Sequence, residues 1–389
     1  MNDGRTLFSQ LMDFLPAHEF HKCVDRYDGN RRIRSFSCHD QFLCMAFAQL
    51  TYRESLRDIE TCLRSLGNRL YHAGLRGGIS RSTLADANEQ RDWRIYADFA
   101  AVLIARARHL YRHEDLGLDL EQTVYAFDST TIDLCLTLFP WAKFRRRKSA
   151  IKLHTLLDLR GNIPCLVHVS DGKMHDVRAL DLLAIEPGAF YVLDRGYIDF
   201  VRLYAFTQGM AFFVTRAKSS LDFRRIERRA VDKSTGLRSD SKIVLRGSKS
   251  STLYPQPLRR ISYYAEEQER RLVFLTNNFT LPALTIAHLY RCRWQVELFF
   301  KWIKQYLRIK VFLGTSPNAV KTQVWIAISV YVLAAIARKE MAISLSLGEM
   351  LQILSIALFE KTPLLQAFSS GIPTIETELI HNQLSLFDF

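Results

Sequence analysis

Hydrophobic and polar positions follow two different periods along this chain of 389 residues. Through the first 118 residues, apolar side chains recur every three or four positions, which is the spacing of helices that bury one face. From Val124 onward, short runs of β-branched and aromatic residues predict strands. Helical spacing returns at Leu284 and includes an apolar run of 14 residues, Val324–Ala337. That run is shorter than the roughly 20 residues that cross a bilayer, so it predicts a buried core helix and no membrane contact.

The middle of the chain predicts a mixed α/β fold. A hairpin is expected from Ile151–Asp158 and Ile163–Val169, which flank an Arg-Gly-Asn turn. A buried strand, Phe190–Leu193, comes directly before an acidic residue and a glycine turn. Asp128 and Asp194 both follow predicted strands, where open α/β sheets commonly place their sites.

A basic segment interrupts this core. Residues 216–271 contain 15 Lys and Arg against 7 Asp and Glu, with short apolar alternations that predict paired strands rather than a solvated loop. We therefore predict five regions in chain order. They are a helical N-terminal domain (1–118), a first core part (119–216), a basic β-rich insertion (217–270), a second core part (271–340) and a C-terminal helix with a flexible tail (341–389).

Composition narrows the class of protein. The net charge of +13 and the pI near 9.5 favour a polyanionic partner, with nucleic acid as the first candidate. The seven cysteines form no C-x-x-C pair, which argues against a disulfide framework and a structural zinc site. The N-terminus has no basic-then-apolar signal segment. We therefore expect a cytoplasmic protein that binds nucleic acid.

The helical N-terminal region has the layout of a helix-turn-helix. A glycine-rich connection at 74–78 precedes a helix that begins at Ser80 and is predicted to continue to Tyr111. In such motifs the first residues of the second helix contact DNA, which makes Arg81 a candidate contact. The connection is longer than the standard turn, so an ordinary helical bundle is the alternative.

The stretch Tyr290–Lys304 predicts an amphipathic helix with a concentrated polar face. At about 100° per residue, five polar side chains fall in an arc of roughly 80° beside an apolar stripe. Taken alone, this pattern also fits a solvated surface helix with a Glu–Arg pair at four-residue spacing. Trp294 is expected to lie in the core, as helix aromatics commonly do. The five polar residues are Tyr290, Arg293, Glu297, Lys301 and Lys304.

Acidic residues on these elements suggest a metal site. Asp128, Asp194 and Glu297 can converge in an α/β core, and carboxylate clusters without histidine or cysteine favour Mg²⁺ or Mn²⁺. Two such ions about 4 Å apart suit in-line displacement at phosphorus. Asp133 and Asp176 are competing candidates, because the 40 acids of the chain supply many possible triples.

A resemblance to a known family selects among these triples. The segments FDSTT and LDRGY, followed by Tyr-x2-Arg-x3-Glu-x6-Lys at Tyr290–Lys304, resemble the DDE transposases of the insertion-sequence-four family. The resemblance extends over nearly the whole chain, including the segments at 36–42, 49–60 and 80–88. It implies an RNase H-like catalytic core with a β insertion between the second Asp and the Glu. It also implies that Asp128, Asp194 and Glu297 bind two divalent metals.

The same resemblance implies that Tyr290, Arg293 and Lys304 hold the DNA backbone near the cut. Arginine and lysine neutralise phosphate, and a tyrosine hydroxyl adds a hydrogen bond, so the residue types agree with this role. One departure concerns base flipping. Some relatives stack a flipped base on a tryptophan of the insertion. The insertion of this chain has no tryptophan, so the sequence leaves open whether the excision intermediate is a hairpin. Tyrosines or a phenylalanine would have to replace that tryptophan, namely Tyr254, Tyr263, Tyr264 or Phe223.

A basic loop and strand at 143–154 are predicted to contact the phosphates of the DNA backbone next to this site. Six cations among these 12 residues favour DNA over a solvated loop. Lys301, at the edge of the polar helix face, is a further predicted contact. The predicted DNA contacts of the loop and strand are Arg145, Arg146, Arg147, Lys152 and His154.

The C-terminus carries a short motif of a different kind. It resembles the pentapeptide by which bacterial proteins dock on the replication sliding clamp, and it would act as a flexible tail that fills an apolar groove. The alternative is a terminal turn packed on the core. The motif residues are Gln383, Leu384, Ser385, Leu386 and Phe387.

These observations together predict the cut-and-paste DNA transposase of a bacterial insertion sequence. It would bind double-stranded terminal inverted repeats, hydrolyse the ends and join the 3′-hydroxyl to target DNA, as a homodimer because two ends must be held together. A metal-dependent nuclease without strand transfer and a non-catalytic DNA-binding repressor are the alternatives. The sequence reveals neither the repeats nor the target preference, and the expected location is the cytoplasm, on the nucleoid.

Overall fold

A computed structural model describes residues 4–75, 77–145, 148–266, 269–305 and 312–369. Its first part is helical, and hydroxyl groups cap several of the helices. Ser37 and Asp40 form a reciprocal capping box, and Ser55 accepts a hydrogen bond from the Asp58 amide over 3.0 Å. The helices of this part are α1 (Leu7–Met12), α2 (Ala17–Arg26), α3 (Cys38–Leu50), α4 (Leu56–Ser65), α5 (Arg81–Gln90) and α6 (Arg94–Tyr111).

The single long helix predicted at the end of this part is wrong, because the chain breaks between α5 and α6. Arg91, at the break, has an extended backbone. Its guanidinium donates to the carbonyl oxygen of Ser37 over 2.8 Å and to Gln41 Oε1 over 3.0 Å. These contacts with the start of α3 are tertiary, and a helical period along one segment does not reveal them.

Strands begin at Val124 and build one large sheet, so the predicted mixed α/β fold is confirmed. Along the sheet the order is β2-β3-β1-β5-β6-β10-β9-β8-β7, and β4 pairs with β3. The neighbours β1, β5 and β6 run parallel, and the other pairs are antiparallel. The strands are β1 (Val124–Leu134), β2 (Lys143–Arg145), β3 (Lys148–Asp158), β4 (Ile163–Asp171), β5 (Phe190–Leu193), β6 (Phe212–Arg216), β7 (Phe223–Arg229), β8 (Leu237–Leu245), β9 (Leu258–Ala265) and β10 (Arg270–Thr276).

The basic insertion extends this sheet instead of forming a separate one. β10 pairs with β9 on one side and with β6 on the other, where Thr276 lies opposite Val214. Inside the insertion, the buried side chains of Arg259 and Asp240 form an ion pair of 2.7 Å. Arg259 also donates to the carbonyl oxygen of Leu281 over 2.6 Å, which ties the insertion to the segment after β10. Two helices complete this half of the chain: α7 (Phe200–Gln208) before β6 and α8 (Ser248–Leu253) before β9.

The last part of the described chain is helical again. Its longest helix has the length and apolar character of a membrane span, but it lies buried in the protein core against α6 and α3. Tyr111 at the end of α6 donates to the carbonyl oxygen of Ala335 over 2.9 Å. The N-terminal and C-terminal helices therefore share one apolar core. The helices are α9 (Ala283–Cys292), α10 (Trp294–Gln305), α11 (Pro317–Glu340), α12 (Leu347–Ala357) and α13 (Leu364–Ser369).

The two faces of the sheet contact different layers, which orients the strand ends. Ala126 belongs to the apolar cluster that contains α6, α9 and α11, whereas Phe127 and Leu193 belong to the cluster around α7. Successive residues of a strand point to opposite faces. By this alternation Asp128 and Asp194, the next residues of the two strands, face the side that carries α9 and α10.

Candidate active site

Two carboxylates lie side by side at the centre of the sheet. β1 and β5 pair in parallel from Val124 opposite Phe190 to Phe127 opposite Leu193. Asp128 and Asp194 are the residues that follow this last pair. Asp194 comes directly after the end of β5, whereas Asp128 lies within β1, which continues to Leu134. The sequence predicted that both acids follow the ends of strands, which is confirmed for Asp194 and wrong for Asp128. The register of the two parallel strands nevertheless places them side by side.

The predicted continuous helix over Tyr290–Lys304 is wrong in one respect, because it is interrupted at Arg293. α9 ends at Cys292 and α10 begins at Trp294. Around the interruption the Arg293 amide donates to the Tyr290 carbonyl over 3.2 Å, a tight three-residue turn. The interruption turns Trp294 outward, and 58% of its side chain is exposed, so the prediction that it lies in the core is also wrong.

Residues of both helices contact the strand carboxylates. The Arg293 guanidinium donates to Asp128 Oδ2 over 3.2 Å and to Glu297 Oε1 over 2.5 Å. The Tyr290 hydroxyl donates to Asp194 Oδ1 over 3.2 Å. The five residues that the sequence nominated from three distant segments therefore form one connected group. Up to 169 positions of sequence, from Asp128 to Glu297, separate the members of this group, so only tertiary folding brings them together.

The environment of Asp128 disfavours its charge. Burial, with the neighbouring charges of Asp194 and Glu297, raises the pKa of Asp128 to about 6, although the Ser129 amide and Arg293 act against this shift. The Ser129 amide donates to Asp128 Oδ1 over 2.8 Å, and the Tyr197 hydroxyl lies 3.5 Å from the same atom. A cation that approaches a carboxyl held in this way stabilises its charged form.

The donor set fits a hard divalent cation, because oxygen ligands from carboxylates select Mg²⁺ or Mn²⁺. Among the residues that the structure describes, however, no three acidic, histidine or cysteine side chains are grouped to bind a metal. The guanidinium of Arg293 lies between Asp128 and Glu297, and its Nε is buried without a hydrogen-bond partner. The positive charge of Arg293 thus neutralises these two acids, and a metal bound there would have to displace the guanidinium.

Several predicted DNA contacts are engaged inside the protein. The Lys304 ammonium donates to the carbonyl oxygen of Thr131 on β1 over 3.0 Å. Lys152 forms a 3.1 Å ion pair with Asp176. His154 is fully buried, and its Nε2 lies 2.9 Å from Ser170 Oγ. In this conformation neither Lys152 nor His154 is presented to a phosphate, and their DNA contacts stay predictions.

The other predicted contacts have different surroundings. Lys301 is exposed on α10, and Arg81 is exposed at the first position of α5, after the cap residue Ser80. Of Arg145 the structure describes only the backbone, in β2. Arg146, Arg147 and the motif at 383–387 lie outside the described residues. All of these assignments therefore stay predictions.

Two polar residues that contact the site, Ser129 and Tyr197, were not predicted from the sequence. The Ser129 hydroxyl donates to Asp176 Oδ1 over 2.8 Å, so Asp176, a competing candidate acid, supports β1 beside the site. Tyr197 is buried, and burial raises the pKa of its phenol well above the usual value. The sequence could have indicated both residues, because Ser129 follows Asp128 directly and Tyr197 belongs to the LDRGY segment. Asp133, the other competitor, is exposed further along β1.

An aromatic and cationic cleft of about 900 Å³ opens beside the carboxylate group. It runs between the insertion and the junction of α9 and α10, and both Tyr290 and Arg293 form part of its wall. Trp294 stands exposed at the same place. The wall also contains Tyr263, Tyr264, Phe274, Arg270 and His288. Aromatic faces with nearby cations are the surfaces on which nucleic-acid strands stack.

The chain is similar to known proteins along most of its length. Residues 119–333 match the family described as Transposase DDE domain, and residues 3–76 match a domain of unknown function, DUF4372. The matched DDE region contains all three carboxylates and the cleft residues named above.

Two relatives in sequence agree with the family match. A protein named as a transposase, y4zB of Sinorhizobium fredii, is 33% identical over 281 residues, 72% of this chain and 77% of that protein. One named as a transposase for insertion sequence element IS5377, from Geobacillus stearothermophilus, is 28% identical over 254 residues, 65% of this chain and 66% of that one. A solved structure of the piggyBac transposase synaptic complex with hairpin DNA covers 94% of this chain and 82% of its own, at 10% identity and a TM-score of 0.45.

Proposed function

Because the chain belongs to the DDE transposase family, we propose that it is the cut-and-paste transposase of a bacterial insertion sequence. The observation that carries this proposal is the contact of Arg293 and Tyr290 with all three carboxylates. A fold that merely resembled a transposase would not need to keep Asp128, Asp194 and Glu297 within reach of one guanidinium and one phenol. The same group supports placing the chain in the insertion-sequence-four family and its core in the RNase H-like class.

Asp128, Asp194 and Glu297 are the residues that would hold two divalent metals. When bound, Mg²⁺ or Mn²⁺ supplies activation of the attacking water or 3′-hydroxyl and stabilises the leaving oxygen. The role of Asp128 requires its ionised form, which its pKa of about 6 allows at neutral pH. Burial raises the pKa of Tyr290 to about 12, so the phenol keeps its proton and orients Asp194 by donating to it.

Cationic residues of this site bind the DNA backbone in the proposed function. Arg293 exchanges its carboxylate partners for a phosphate, to which a guanidinium donates in a bidentate geometry. Lys304 is fixed along β1 by Thr131 and brings a second positive charge to the same side. Lys301 and Trp294, both exposed, extend this surface toward the cleft.

The remaining steps of transposition need surfaces outside this site. We infer that the N-terminal helices, with Arg81 at the start of α5, bind the terminal inverted repeats, because an exposed helix start supports contact with DNA. A homodimer would hold two ends together. The protein would act in the cytoplasm, on the nucleoid.

The proposed chemistry is tested with DNA taken from either side of the gene. Linear fragments that carry the flanking inverted repeats, with labelled 3′ ends, are incubated with the protein, Mg²⁺ and a target plasmid. Labelled ends joined to the plasmid support a transposase. Nicked ends without joined product indicate a nuclease, and bound but uncut ends indicate a repressor, and either result contradicts the proposal.

The clamp interaction requires a separate experiment. We propose that Gln383–Phe387 docks on the replication sliding clamp, since leucines and a phenylalanine on a tail fit an apolar groove. Immobilised clamp should retain the full chain and should not retain a chain that ends at Asn382. Equal retention of both would contradict the assignment, whether or not the protein transposes.

A further inference from the structure

Strand β1 loses one of its two neighbours just before the residue that carries a candidate metal ligand. Its parallel pairing with β5 runs from Val124 to Phe127 and stops one position before Asp128. β1 itself continues to Leu134, and among the strands that the structure describes only β3 pairs with it there. A strand edge without a neighbour leaves backbone N–H and C=O groups unpaired. Side chains must therefore supply the contacts that fix β1 around Asp128.

Side-chain oxygens and cations bind backbone groups of this segment. The Ser129 amide donates to Asp128 Oδ1 over 2.8 Å. Two positions further along, the Lys304 ammonium donates to the carbonyl oxygen of Thr131 over 3.0 Å. The first of these contacts makes the position of the Asp128 carboxylate depend on the orientation of the Ser129 peptide group. A contact that fixes Ser129 therefore also fixes one oxygen of the candidate ligand.

The side chain of Ser129 is anchored by an acid from outside the strand. Ser129 lies two positions after Phe127, so both side chains point to the face that carries α7. On that face the Ser129 hydroxyl donates to Asp176 Oδ1 over 2.8 Å. Asp176 begins a short 3-10 helix, in which Ala179 and Leu180 are buried in the apolar cluster around α7. The acid therefore belongs to an element that is packed on the sheet.

Asp176 is itself held in place by Lys152 on β3. The Lys152 ammonium donates to Asp176 Oδ1 over 3.1 Å and to the carbonyl oxygen of Met174 over 2.8 Å. Only 12% of the Lys152 side chain is exposed, and hydrogen bonds between charged groups are stronger than those between neutral groups. Lys152 lies opposite Thr131 on β1. The ion pair thus connects Asp176 to the strand that still pairs with β1.

A buried histidine lies on the other side of the same carboxylate. His154 is opposite Ser129 on β3 and fully buried, and its Nδ1 lies 3.9 Å from Asp176 Oδ1. Burial lowers the pKa of His154 to about 4, so the ring is neutral at neutral pH. A neutral buried ring excludes water from this side of the hydrogen bond between Ser129 and Asp176. Hydrogen bonds are stronger where water is excluded.

We propose that Asp176 is a positioning residue of the active site, which acts through the Ser129 hydroxyl to hold the segment of β1 that orients Asp128 toward a divalent cation. The acid that competed with Asp128 as a ligand thus supports it from the opposite face of the sheet. This inference rests on the proposed function, since it assumes that Asp128 binds a metal. Removal of the hydrogen-bonding groups behind a metal ligand commonly weakens metal affinity by about 10–100-fold.

The test measures binding of Mn²⁺ to the full-length protein without DNA, from the electron paramagnetic resonance signal of free Mn²⁺. Asp176→Ala should weaken the affinity by about tenfold or more, because Ser129 loses its acceptor. Ser129→Ala removes the donor, keeps the ion pair of Asp176 with Lys152, and should weaken the affinity by a similar factor. The double variant should bind no more weakly than the weaker single variant, because both substitutions break the same hydrogen bond.

Two further variants separate positioning from charge and from damage to the short helix. Asp176→Asn keeps an oxygen that accepts from Ser129, so it should bind Mn²⁺ clearly more tightly than Asp176→Ala does. Asp181→Ala removes another acid of the same helix, which pairs with Arg202 over 2.6 Å, and should bind Mn²⁺ as the wild type does. Circular dichroism verifies that each variant is folded. If Asp176→Ala does not fold, Ser129→Ala tests the same hydrogen bond from its other partner.

Affinity for DNA provides a readout that distinguishes positioning of a metal ligand from a general role in the structure. Ser129→Ala should bind a random-sequence duplex as tightly as the wild type, because the broken hydrogen bond lies inside the protein. A loss of Mn²⁺ affinity with unchanged DNA affinity supports the inference. Equal losses of both would overturn it, because they would indicate a disturbance of the whole fold.

The other outcomes also decide the question. Wild-type Mn²⁺ affinity in Ser129→Ala would overturn the inference, and so would an Asp176→Asn variant that binds as weakly as Asp176→Ala, since charge alone would then be the cause. Wild-type protein that binds no Mn²⁺ would contradict both the metal assignment and the inference. Protein that shows the expected Mn²⁺ pattern but never cuts or joins labelled ends refutes only the transposase activity. Protein that joins ends while all variants bind Mn²⁺ alike refutes only the role of Asp176.

Discussion

Two consecutive arginines of β9 have opposite surroundings. Arg259 points to the face that packs toward the core, where Asp240 receives its guanidinium over 2.7 Å and 3.0 Å. Arg260 points to the open face and has two other arginines for neighbours. The protein thus balances a cation that serves its own folding and leaves unbalanced one that is available to a partner. An unpaired charge among like charges is therefore an indication of a binding surface.

The active site lies between these two cases. Arg293 has carboxylate partners in Asp128 and Glu297, yet its Nε is buried and unsatisfied, and Asp128 keeps a raised pKa. The charges of the active site are therefore only partly compensated. Residues that bind DNA and metal can be partnered in the free protein, provided that the internal contacts are weaker than those with the ligand.

The largest expected effect comes from breaking the internal pair. Asp240→Asn should lower the free energy of unfolding by about 3–5 kcal/mol, because it leaves Arg259 buried without its charge partner. Urea unfolding followed by circular dichroism measures the loss. Arg260→Gln on the same strand is the control and should cost nothing, so equal destabilisation by both would remove the distinction between the two arginines.

The next effect concerns the pH dependence of stability. Asp128 has a pKa of about 6 when folded and near 4 when unfolded, so between these values the folded protein binds more protons. The free energy of unfolding should therefore fall by about 2 kcal/mol as pH rises from 4 to 6, relative to an Asp128→Asn variant. Urea titrations at several pH values, without divalent metal, give the difference. The same pH dependence of the free energy of unfolding in both proteins would show that folding does not raise the pKa of Asp128.

A smaller effect is expected from metal. At about ten times its dissociation constant, Mg²⁺ should raise the free energy of unfolding of the wild type by about 1.4 kcal/mol. Asp128→Asn should lose this response, whereas Asp133→Asn, an exposed acid on the same strand, should keep it. Calorimetric melting with and without Mg²⁺ distinguishes the variants. Stabilisation that persists in Asp128→Asn would place the metal elsewhere.

The smallest effect is expected at the surface of the cleft. Trp294→Ala should change the free energy of unfolding by less than about 0.5 kcal/mol, because the indole is exposed. The same substitution at a buried aromatic costs about 3–5 kcal/mol. Affinity for single-stranded DNA should fall with unchanged stability. A large loss of stability would mean that the indole packs in the core.

Local patterns predicted the elements of this fold better than their interruptions. The strand that contains Asp128 and the strand before Asp194 follow from residue type and spacing within a few positions. The break at Arg91 depends on contacts with residues some fifty positions away. Such a break is invisible to a local period.

The candidate site shows the same division. Residue types and the resemblance nominated the three acids, Arg293 and Tyr290, and folding brings these five together. The bridging position of Arg293 and the engagement of Lys152 by Asp176 were not predicted, because a charge on one strand does not reveal its partner on another. The different surroundings of Arg259 and Arg260 likewise required the strand register, since alternation alone does not say which face of a strand is covered.

The most direct test of the central claim compares cleavage and binding of labelled transposon ends in the presence of Mg²⁺. Asp128→Asn should lower the cleavage rate by at least about a thousandfold, as expected when a ligand of the reacting centre is removed, while end affinity stays within a few fold of the wild type. Asp133→Asn, with the same charge change on the same strand, should cleave normally. Cleavage by Asp128→Asn at a rate near that of the wild type would contradict the assignment of these carboxylates as the catalytic centre.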